Sequence, residues 1–180
     1  MSDELIDILN DDLTVLKTCL KSEAHTYGHL HASVHIWFYT VDNEILIQKR
    51  SATKIAFPNL WDVSVAGHIS AGETPIFSVI REIKEEIGLD VSEKDLLKIG
   101  DFKEYFQHNN DFIDNEIHHI YLCKLKDNVD ALKIQKKEVS EIKLIPIDIF
   151  MDELSKPHPK KLYVPHYPEY YDFILKNIYQ

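Results

Sequence analysis

The sequence has little cysteine and no long apolar run, and each shortage excludes a class of protein. Only two cysteines occur, Cys19 and Cys123, far apart and without metal-ligand spacing. A disulfide scaffold is therefore excluded, and a reduced, cytoplasmic compartment is the expectation. No apolar run approaches the roughly 20 residues of a membrane span. The acidic amino terminus lacks a signal-peptide layout, so we expect no targeting or membrane segment.

Positive charge is also scarce. Twenty lysines and arginines stand against 30 aspartates and glutamates, which gives a formal net charge of −10 and a pI of about 5.4. Such a chain offers no basic patch for a nucleic-acid backbone. An acidic protein can still act on anionic phosphates when metal ions and a few local cations screen the site. We therefore expect a small-molecule diphosphate as the partner, with no nucleic acid and no membrane.

Length and composition are those of an ordinary globular protein. The 180 residues, 44% of them hydrophobic and 28% charged, predict a single domain over residues 1–180. Repeats and low-complexity segments are absent from the sequence. Homodimers are common among soluble proteins, so a homodimer is a base-rate expectation only.

The clearest pattern lies in residues 67–89, GHISAGETPIFSVIREIKEEIGL. Its second half predicts an amphipathic helix, with Thr74 as N-cap, Pro75 at the first helical position and Gly88 just after the end. At about 100° per residue, one apolar stripe is expected to be buried. That stripe contains Ile76, Val79, Ile80, Ile83 and Ile87.

Three glutamates share an adjacent face of this helix. Glu82, Glu85 and Glu86 stand at i, i+3 and i+4, where like charges repel and weaken the helix. A divalent cation removes that penalty, and Mg²⁺ prefers oxygen ligands together with substrate phosphates. The glutamates alone also fit a solvated acidic face, which is what most charge runs are. The residues around them decide between the two interpretations.

Nine positions across these 23 residues, including two glycines and one arginine, carry the full pattern. It resembles the Nudix box, the signature of the Nudix hydrolase superfamily, at every fixed position. The resemblance implies that Glu82, Glu85 and Glu86 bind Mg²⁺ or Mn²⁺ and that the Gly67 carbonyl is a further metal ligand. It also implies that Glu73 and Arg81 brace the loop and the helix.

The flanking segments resemble one branch of that superfamily, the type I isopentenyl-diphosphate isomerases and their hydrolase relatives. The matching segments are HLHASVHIWFY, QKRSATKIAFPNLWDVSVAGHI and DNEIHHIYL. The resemblance implies a second metal-ligand set formed by His31, His68, Asp114 and Glu116. His25 lies near the remaining histidine position, one residue out of register. Imidazole and carboxylate donors together suit Mg²⁺, Mn²⁺ or Zn²⁺.

The same resemblance implies that Arg50 and Lys54 bind the substrate's diphosphate. Arginine suits bidentate phosphate contacts and lysine supplies a point charge. The alternative for both is a solvated loop. The isomerases' catalytic cysteine is replaced by Ala66, whose methyl group cannot move a proton at a substrate carbon. Lost isomerase chemistry beside an intact Nudix box favours hydrolysis.

Apolar alternation and turn residues predict the remaining elements. The predicted elements are a hairpin within residues 4–20, a short helix over 17–27, strands over 31–40, 44–50, 61–65, 96–106, 115–125 and 141–145, a turn over 107–111, helices over 147–154 and 168–178, and loops over 50–60 and 155–165. Mixed strands with flanking helices indicate an α/β sandwich. The resemblance implies the Nudix fold, a mixed β-sheet sandwiched between α-helices.

The predicted function is hydrolysis of a diphosphate linkage by a Mg²⁺- or Mn²⁺-dependent Nudix pyrophosphohydrolase. The substrate is a nucleoside diphosphate derivative or an isoprenyl diphosphate. The general base is Glu82, Glu85, Glu86 or Glu116, and the sequence does not choose among them. Two alternatives stay open, an isopentenyl-diphosphate isomerase and a non-catalytic ligand-sensing domain.

Overall fold

The structure is a computed structural model that describes residues 3–156 and 162–178. Within these residues nine strands form one sheet. The strands are β1 Leu5–Leu9, β2 Val15–Leu20, β3 His31–Tyr39, β4 Glu44–Arg50, β5 Trp61–Asp62, β6 Val65–His68, β7 Leu96–Asn109, β8 Phe112–Lys124 and β9 Val139–Pro146. The helices are α1 Lys21–Tyr27, α2 Pro75–Ile87, α3 Ile147–Ser155 and α4 Pro168–Ile178.

Strand β3 is the centre of the sheet. It runs parallel to β8 along its whole length. On its other side it meets β1, β6 and β4 in turn, each antiparallel, so the sheet is mixed. Strand β9 extends the sheet beyond β4, and β7 extends it beyond β8. The pairing brings residues from β3, β6 and β8 to one place, with His31 opposite Glu116 and Ser33 opposite His68.

Both faces of the sheet are covered by helices. Val34, Ile36 and Phe38 of β3 pack with the apolar stripe of α2. Trp37 faces the other way and packs with α3 and α4. This alternation along β3 follows from the period of two in a strand. An α/β architecture with a sheet between helices is therefore confirmed.

Several predicted boundaries are wrong. The strands predicted over 115–125 and 141–145 begin earlier, at Phe112 and Val139, because their pairing with β7 and β4 extends to those residues. The first helix begins at Lys21 rather than at residue 17, because residues 17–20 pair with β1 and the Thr18 hydroxyl donates to Asp7 at 2.6 Å. The predicted strand over 61–65 is two short strands, since Ser64 leaves the ladder and its hydroxyl bonds to the backbone of Leu46 and Phe38. The turn over 107–111 is tighter, because pairing continues to Asn109. Of the predicted loop 155–165, residues 157–161 lie outside the described residues.

Candidate active site

Helix α2 presents the three glutamates as predicted, but in two environments. The helix begins where the Thr74 hydroxyl accepts the Phe77 N–H, and it ends at Gly88 in the left-handed region. Within it, Glu82 and Glu86 are buried, whereas half of the Glu85 side chain is exposed. Only Glu85 therefore keeps ordinary access to water.

Arg81 joins the helix to the loop that precedes it. Its guanidinium donates to the Glu73 carboxylate at 3.0 Å, to the main-chain oxygen of His68 at 3.0 Å, to Glu82 at 2.6 Å and to Glu85 at 3.3 Å. Burial lowers the pKa of Arg81, but the neighbouring carboxylates outweigh it and the pKa is raised. A permanently charged, multiply bonded arginine holds the loop and two carboxylates in one arrangement.

The Glu82 carboxyl group lies directly against Gly67. A Cβ atom built on Gly67 would lie 2.0 Å from the Glu82 carboxyl carbon, so only glycine permits this approach. Glu86 accepts hydrogen bonds from the Gln48 side chain at 3.1 Å and from the Ala66 N–H at 3.2 Å. Burial raises the pKa of Glu86 to about 8 and that of Glu82 to about 7. The ionised cluster therefore needs added positive charge at neutral pH.

A cluster of histidines lies beside the helix glutamates, and His68 contacts both clusters. His25 from α1, His31 from β3 and His68 from β6 each offer a ring nitrogen, and these nitrogens lie within 4.8 Å of one another. We call these three residues the open histidine group. His68 connects the clusters, because its main-chain oxygen is bound by Arg81 while its ring belongs to the group.

Two nitrogens of the open histidine group have no partner. Among the described residues, Nε2 of His31 and Nε2 of His68 are buried and form no hydrogen bond. They lie 3.7 and 3.6 Å from one oxygen of Glu116. Nδ1 of His31 meets the His29 carbonyl at 2.8 Å, so it carries the hydrogen and leaves the Nε2 lone pair free in the neutral ring. Two unpartnered imidazole nitrogens facing a carboxylate are a donor set that fits a divalent transition metal.

The carboxylates around this group are ionised. Burial raises the pKa of Glu116, but His31 and His68 outweigh burial and hold it well below its usual range. Asp114 bonds to His108 at 2.7 Å and to His25 at 2.9 Å, and its pKa is likewise lowered despite burial. His31 has a raised pKa because Glu116 offsets burial, whereas burial lowers that of His68.

Arg50 and Lys54 each have a carboxylate partner. Arg50 donates through Nε to the Ala56 carbonyl at 3.0 Å and through Nη1 to Asp62 at 2.8 Å. In the described part of the chain, its Nη2 makes no hydrogen bond. Lys54 pairs with Glu138, and its charge lowers the pKa of Glu86 against the larger effect of burial. The Arg50 and Lys54 side chains are 16% and 31% exposed, and their binding of the substrate stays a prediction.

A second set of buried imidazoles is a feature that the sequence did not identify. His35, His118 and His166, here called the closed histidine group, lie between the sheet and the segment before α4. His118 bonds to Ser33 at 2.7 Å and lies 3.2 Å from Glu104. Because side chains alternate along a strand, His118 lies on the same face of β8 as Glu116, and this spacing could have identified His118 from the sequence. Nothing in the local sequence pointed to His166.

Residues 29–166 match the family described as NUDIX domain. The chain is 32% identical to an uncharacterised Nudix hydrolase of Clostridium acetobutylicum, over 99% of this chain and 98% of that protein. It is 37% identical to Nudix hydrolase 3 of Arabidopsis thaliana over 81% of this chain. The matched region is only 19% of the length of that plant protein. An isopentenyl-diphosphate Delta-isomerase of an Enterobacter strain is 27% identical over 84% of this chain and 81% of its own length.

Solved structures give the fold. The chain superposes on DR0079 of Deinococcus radiodurans with a TM-score of 0.65 at 19% identity, over 84% of this chain and 89% of that one. The NUDIX domain of Shewanella oneidensis NrtR, complexed with ADP ribose, gives 0.58 at 17% identity, over 82% and 87%. At such identities the likeness shows the fold alone. No helix in the described residues is long and apolar enough to cross a membrane.

Proposed function

This chain belongs to the Nudix hydrolase family, and from that premise we propose that it is a divalent-metal-dependent enzyme that cleaves a diphosphate linkage in a small molecule. Water attacks one phosphorus, and the bond to the bridging oxygen breaks. The observation that carries the proposal is the complete set of helix carboxylates beside the Gly67 loop, in which Arg81 binds Glu82 and Glu85 and the Ala66 N–H binds Glu86.

Two donor sets fit the cation or cations. Glu82, Glu85, Glu86 and the Gly67 carbonyl offer only oxygen, which suits Mg²⁺ or Mn²⁺. The second set combines imidazole with carboxylate ligands and favours a transition metal. It comprises His31, His68, Asp114 and Glu116, and a ring nitrogen of His25 lies close to those of the other two histidines. A divalent cation bound there supplies Lewis acidity and charge neutralisation at the phosphate oxygens.

The residues of this chain have distinct tasks in the proposed reaction. Arg81 keeps Glu73, Glu82 and the His68 backbone in place, so the carboxylates do not rearrange when charge develops. Buried Glu86, with a pKa of about 8 without added charge, can hold a proton near neutral pH. Glu82, Glu85, Glu86 and Glu116 all remain candidates for the base that takes the proton from water.

Arg50 and Lys54 are proposed to bind the diphosphate. The free Nη2 of Arg50 supports this, because it can donate to a phosphate oxygen without breaking the pair with Asp62. Lys54 instead has to exchange Glu138 for the substrate. A charge-assisted contact contributes about 1.5–3 kcal/mol. Substitution of Lys54 by alanine should therefore raise KM by roughly tenfold to a hundredfold, with a smaller effect on kcat.

One further activity has support in the site. The open histidine group with Glu116 resembles the isomerase ligand set, and an isomerase is among the relatives. Ala66 counts against it, since a methyl group neither gives nor takes a proton. Incubation with isopentenyl diphosphate and Mg²⁺, followed by product analysis, separates the activities. Dimethylallyl diphosphate at an enzymatic rate would establish isomerisation, and release of phosphate or of the monophosphate would establish hydrolysis.

The experiment that tests the main proposal is hydrolysis of a panel of diphosphates with Mg²⁺ or Mn²⁺. Glu85→Gln and Glu86→Gln should each lower kcat/KM by roughly a hundredfold or more. Neither change should unfold the protein, because the Glu85 side chain is half exposed and glutamine at position 86 keeps the size and the acceptor oxygen of the carboxyl group. Glu141→Gln, an exposed glutamate of β9, is the matched control and should leave activity intact. Full activity of either site variant, or of the wild type in excess chelator, contradicts the proposal.

A further inference from the structure

A series of ionisable side chains leads from Arg50 into the interior of the protein. Arg50 donates through Nη1 to one oxygen of Asp62 at 2.8 Å, and the other oxygen of Asp62 lies 3.0 Å from Nε2 of His166. The second ring nitrogen of His166, Nδ1, lies 2.5 Å from Glu104. We call Asp62, His166 and Glu104 the buried triad. Its members come from β5, from the segment before α4 and from β7, so the triad joins three distant parts of the sequence.

Burial is deepest away from Arg50. The Arg50 side chain is 16% exposed, whereas those of Asp62 and His166 are 5% and 6% exposed and that of Glu104 is 1% exposed. Surface ion pairs contribute little and change geometry easily, but a buried charge without its partner is strongly unfavourable. The triad therefore keeps one arrangement, and Arg50 stands at its most exposed end.

The charges alternate from Arg50 inward. Each ring nitrogen of His166 faces a carboxylate, so both nitrogens donate and the ring is a cation. Burial lowers the pKa of His166, but the two carboxylates outweigh burial and raise the pKa. Burial raises the pKa of Asp62 and of Glu104, but their bonded partners outweigh it and hold both below the usual range. Asp62 thus lies between two cations, one exposed to the surface and one buried.

Main-chain groups fix both carboxylates of the triad. The Val63 N–H donates to Asp62 at 2.8 Å, on the oxygen that also faces His166. The Tyr167 N–H donates to Glu104 at 2.7 Å. Because backbone donors do not change rotamer, the two carboxylates cannot turn away without losing these bonds. The Asp62 oxygen that binds Arg50 is therefore held in a fixed position.

The Arg50 guanidinium is held at two of its three nitrogens. Nε donates to the Ala56 carbonyl at 3.0 Å and Nη1 donates to Asp62, and these two bonds fix the plane of the group. The direction of the remaining nitrogen, Nη2, follows from that plane. A long side chain loses rotamer entropy when a ligand fixes it, but here the loss precedes ligand binding.

We propose that Asp62 and His166 are positioning residues, which fix the Arg50 guanidinium so that its Nη2 is directed at the substrate's diphosphate. The proposal rests on the proposed diphosphate binding by Arg50 and deepens it. Neither residue contacts the substrate, since His166 acts through Asp62 and Asp62 acts through Arg50. The imidazolium also offsets the Asp62 charge from the buried side, so that Arg50 keeps positive charge for a phosphate.

A double-mutant cycle tests this dependence on Arg50. Calorimetry at saturating Mg²⁺ measures binding of methylenediphosphonate, an unhydrolysable diphosphate analogue, to the wild type, His166→Gln, Arg50→Ala and the double variant. His166→Gln should weaken binding roughly fivefold when Arg50 is present and at most about twofold when it is alanine, because no guanidinium remains to be positioned. In hydrolysis, His166→Gln should raise KM by a similar factor and change kcat at most about twofold.

Two further variants separate positioning from loss of stability. Asp62→Asn keeps the shape of the side chain and should reproduce the dependence on Arg50, which gives a second test if His166→Gln does not fold. Tyr170→Phe is the matched control, because it removes the hydroxyl that bonds to His35 at 2.8 Å but keeps the ring that stacks on His166. It should lower the stability in denaturant and leave methylenediphosphonate affinity within about twofold.

The proposal is overturned if His166→Gln weakens binding equally with and without Arg50, or if Tyr170→Phe weakens it as much as His166→Gln does. Unchanged affinity in Asp62→Asn also overturns it. Failure of the proposed function gives a different result. Binding of methylenediphosphonate that depends on Arg50 and His166 together, without hydrolysis of any diphosphate, keeps the positioning role and contradicts the hydrolase. Hydrolysis with an affinity that Arg50→Ala leaves unchanged does the reverse.

Discussion

Strand β3 carries one histidine of the open group and one of the closed group. The two groups differ in whether the protein supplies hydrogen-bond partners for the ring nitrogens. His31 and His35 lie four residues apart on β3 and therefore on one face of the sheet. In the open group, the Nε2 atoms of His31 and His68 are buried without a hydrogen bond. In the closed group, His35 bonds to the Tyr170 hydroxyl at 2.8 Å, and His118 bonds to Ser33.

His166 shows the contrast most fully. Its two ring nitrogens lie 2.5 Å from Glu104 and 3.0 Å from Asp62, and Asp62 in turn accepts from Arg50. Burial lowers the pKa of His166, but the two carboxylates outweigh it and raise the pKa to about 9. A buried imidazole whose partners are supplied by the chain is a structural element. One whose lone pair is left without a partner is available to a ligand.

Removing His166 is expected to have the largest effect. His166→Leu leaves Asp62 and Glu104 buried without their shared cation, which should lower the free energy of unfolding by about 3–5 kcal/mol. Affinity for Mn²⁺ should change only a few-fold. His29→Leu, a half-buried histidine whose side chain forms no hydrogen bond within the described residues, is the control and should be neutral within about 0.5 kcal/mol. Denaturant unfolding of both variants in chelator gives the comparison.

Removing an open-group histidine should have the converse effect. His31→Ala and His68→Ala should each lower Mn²⁺ or Zn²⁺ affinity by roughly a hundredfold, or about 2.8 kcal/mol, measured by calorimetry. His118→Ala tests the closed group by the same titration and should leave affinity within a few-fold. If the His118 variant loses metal affinity as the His31 variant does, the distinction between the groups is wrong.

The pH dependence of the free energy of unfolding should also distinguish the closed group, because His166 is paired with two carboxylates. The His166 pKa is raised from 6.5 to about 9, so its stabilising contribution is complete below pH 6.5 and is lost as the pH rises toward 9. The wild type should lose roughly 2 kcal/mol of unfolding free energy across that range in chelator. His166→Gln should remove this loss. An unchanged difference between wild type and variant from pH 6.5 to 9 would refute the assignment.

The smallest expected effect is at Ser33. Ser33→Ala removes one hydrogen bond to the His118 ring, which keeps its contact with Glu104. The free energy of unfolding should fall by about 1 kcal/mol. Ser140→Ala, at an exposed serine of β9, should cost less. Thermal unfolding of the two variants side by side is sufficient, and a larger loss at Ser140 would contradict the prediction.

Local signals in the sequence predicted much of the fold. Apolar period and end residues located α2 from Thr74 to Gly88, and alternation located β3 with its two faces. Boundaries failed where pairing extended past polar residues, as at Asn109, because hydrogen bonds between strands tolerate polar side chains at exposed ends. The helix glutamates share one face because of their spacing within one element, where geometry is regular. The bracing role of Arg81 was instead implied by the resemblance to the Nudix box, since its contacts with Glu73 and His68 cross from the helix to the loop.

The sequence by itself determined the Nudix box, because its nine positions lie within 23 consecutive residues and a helix after a short loop brings them together. Only the tertiary structure decided which histidines have partners. His166 and Glu104 are far apart in the chain, as are His25 and Asp114, and their contacts depend on how the strands and end segments pack. Residue type and spacing do not contain that information, since whether a buried nitrogen is paired depends on atoms from other segments.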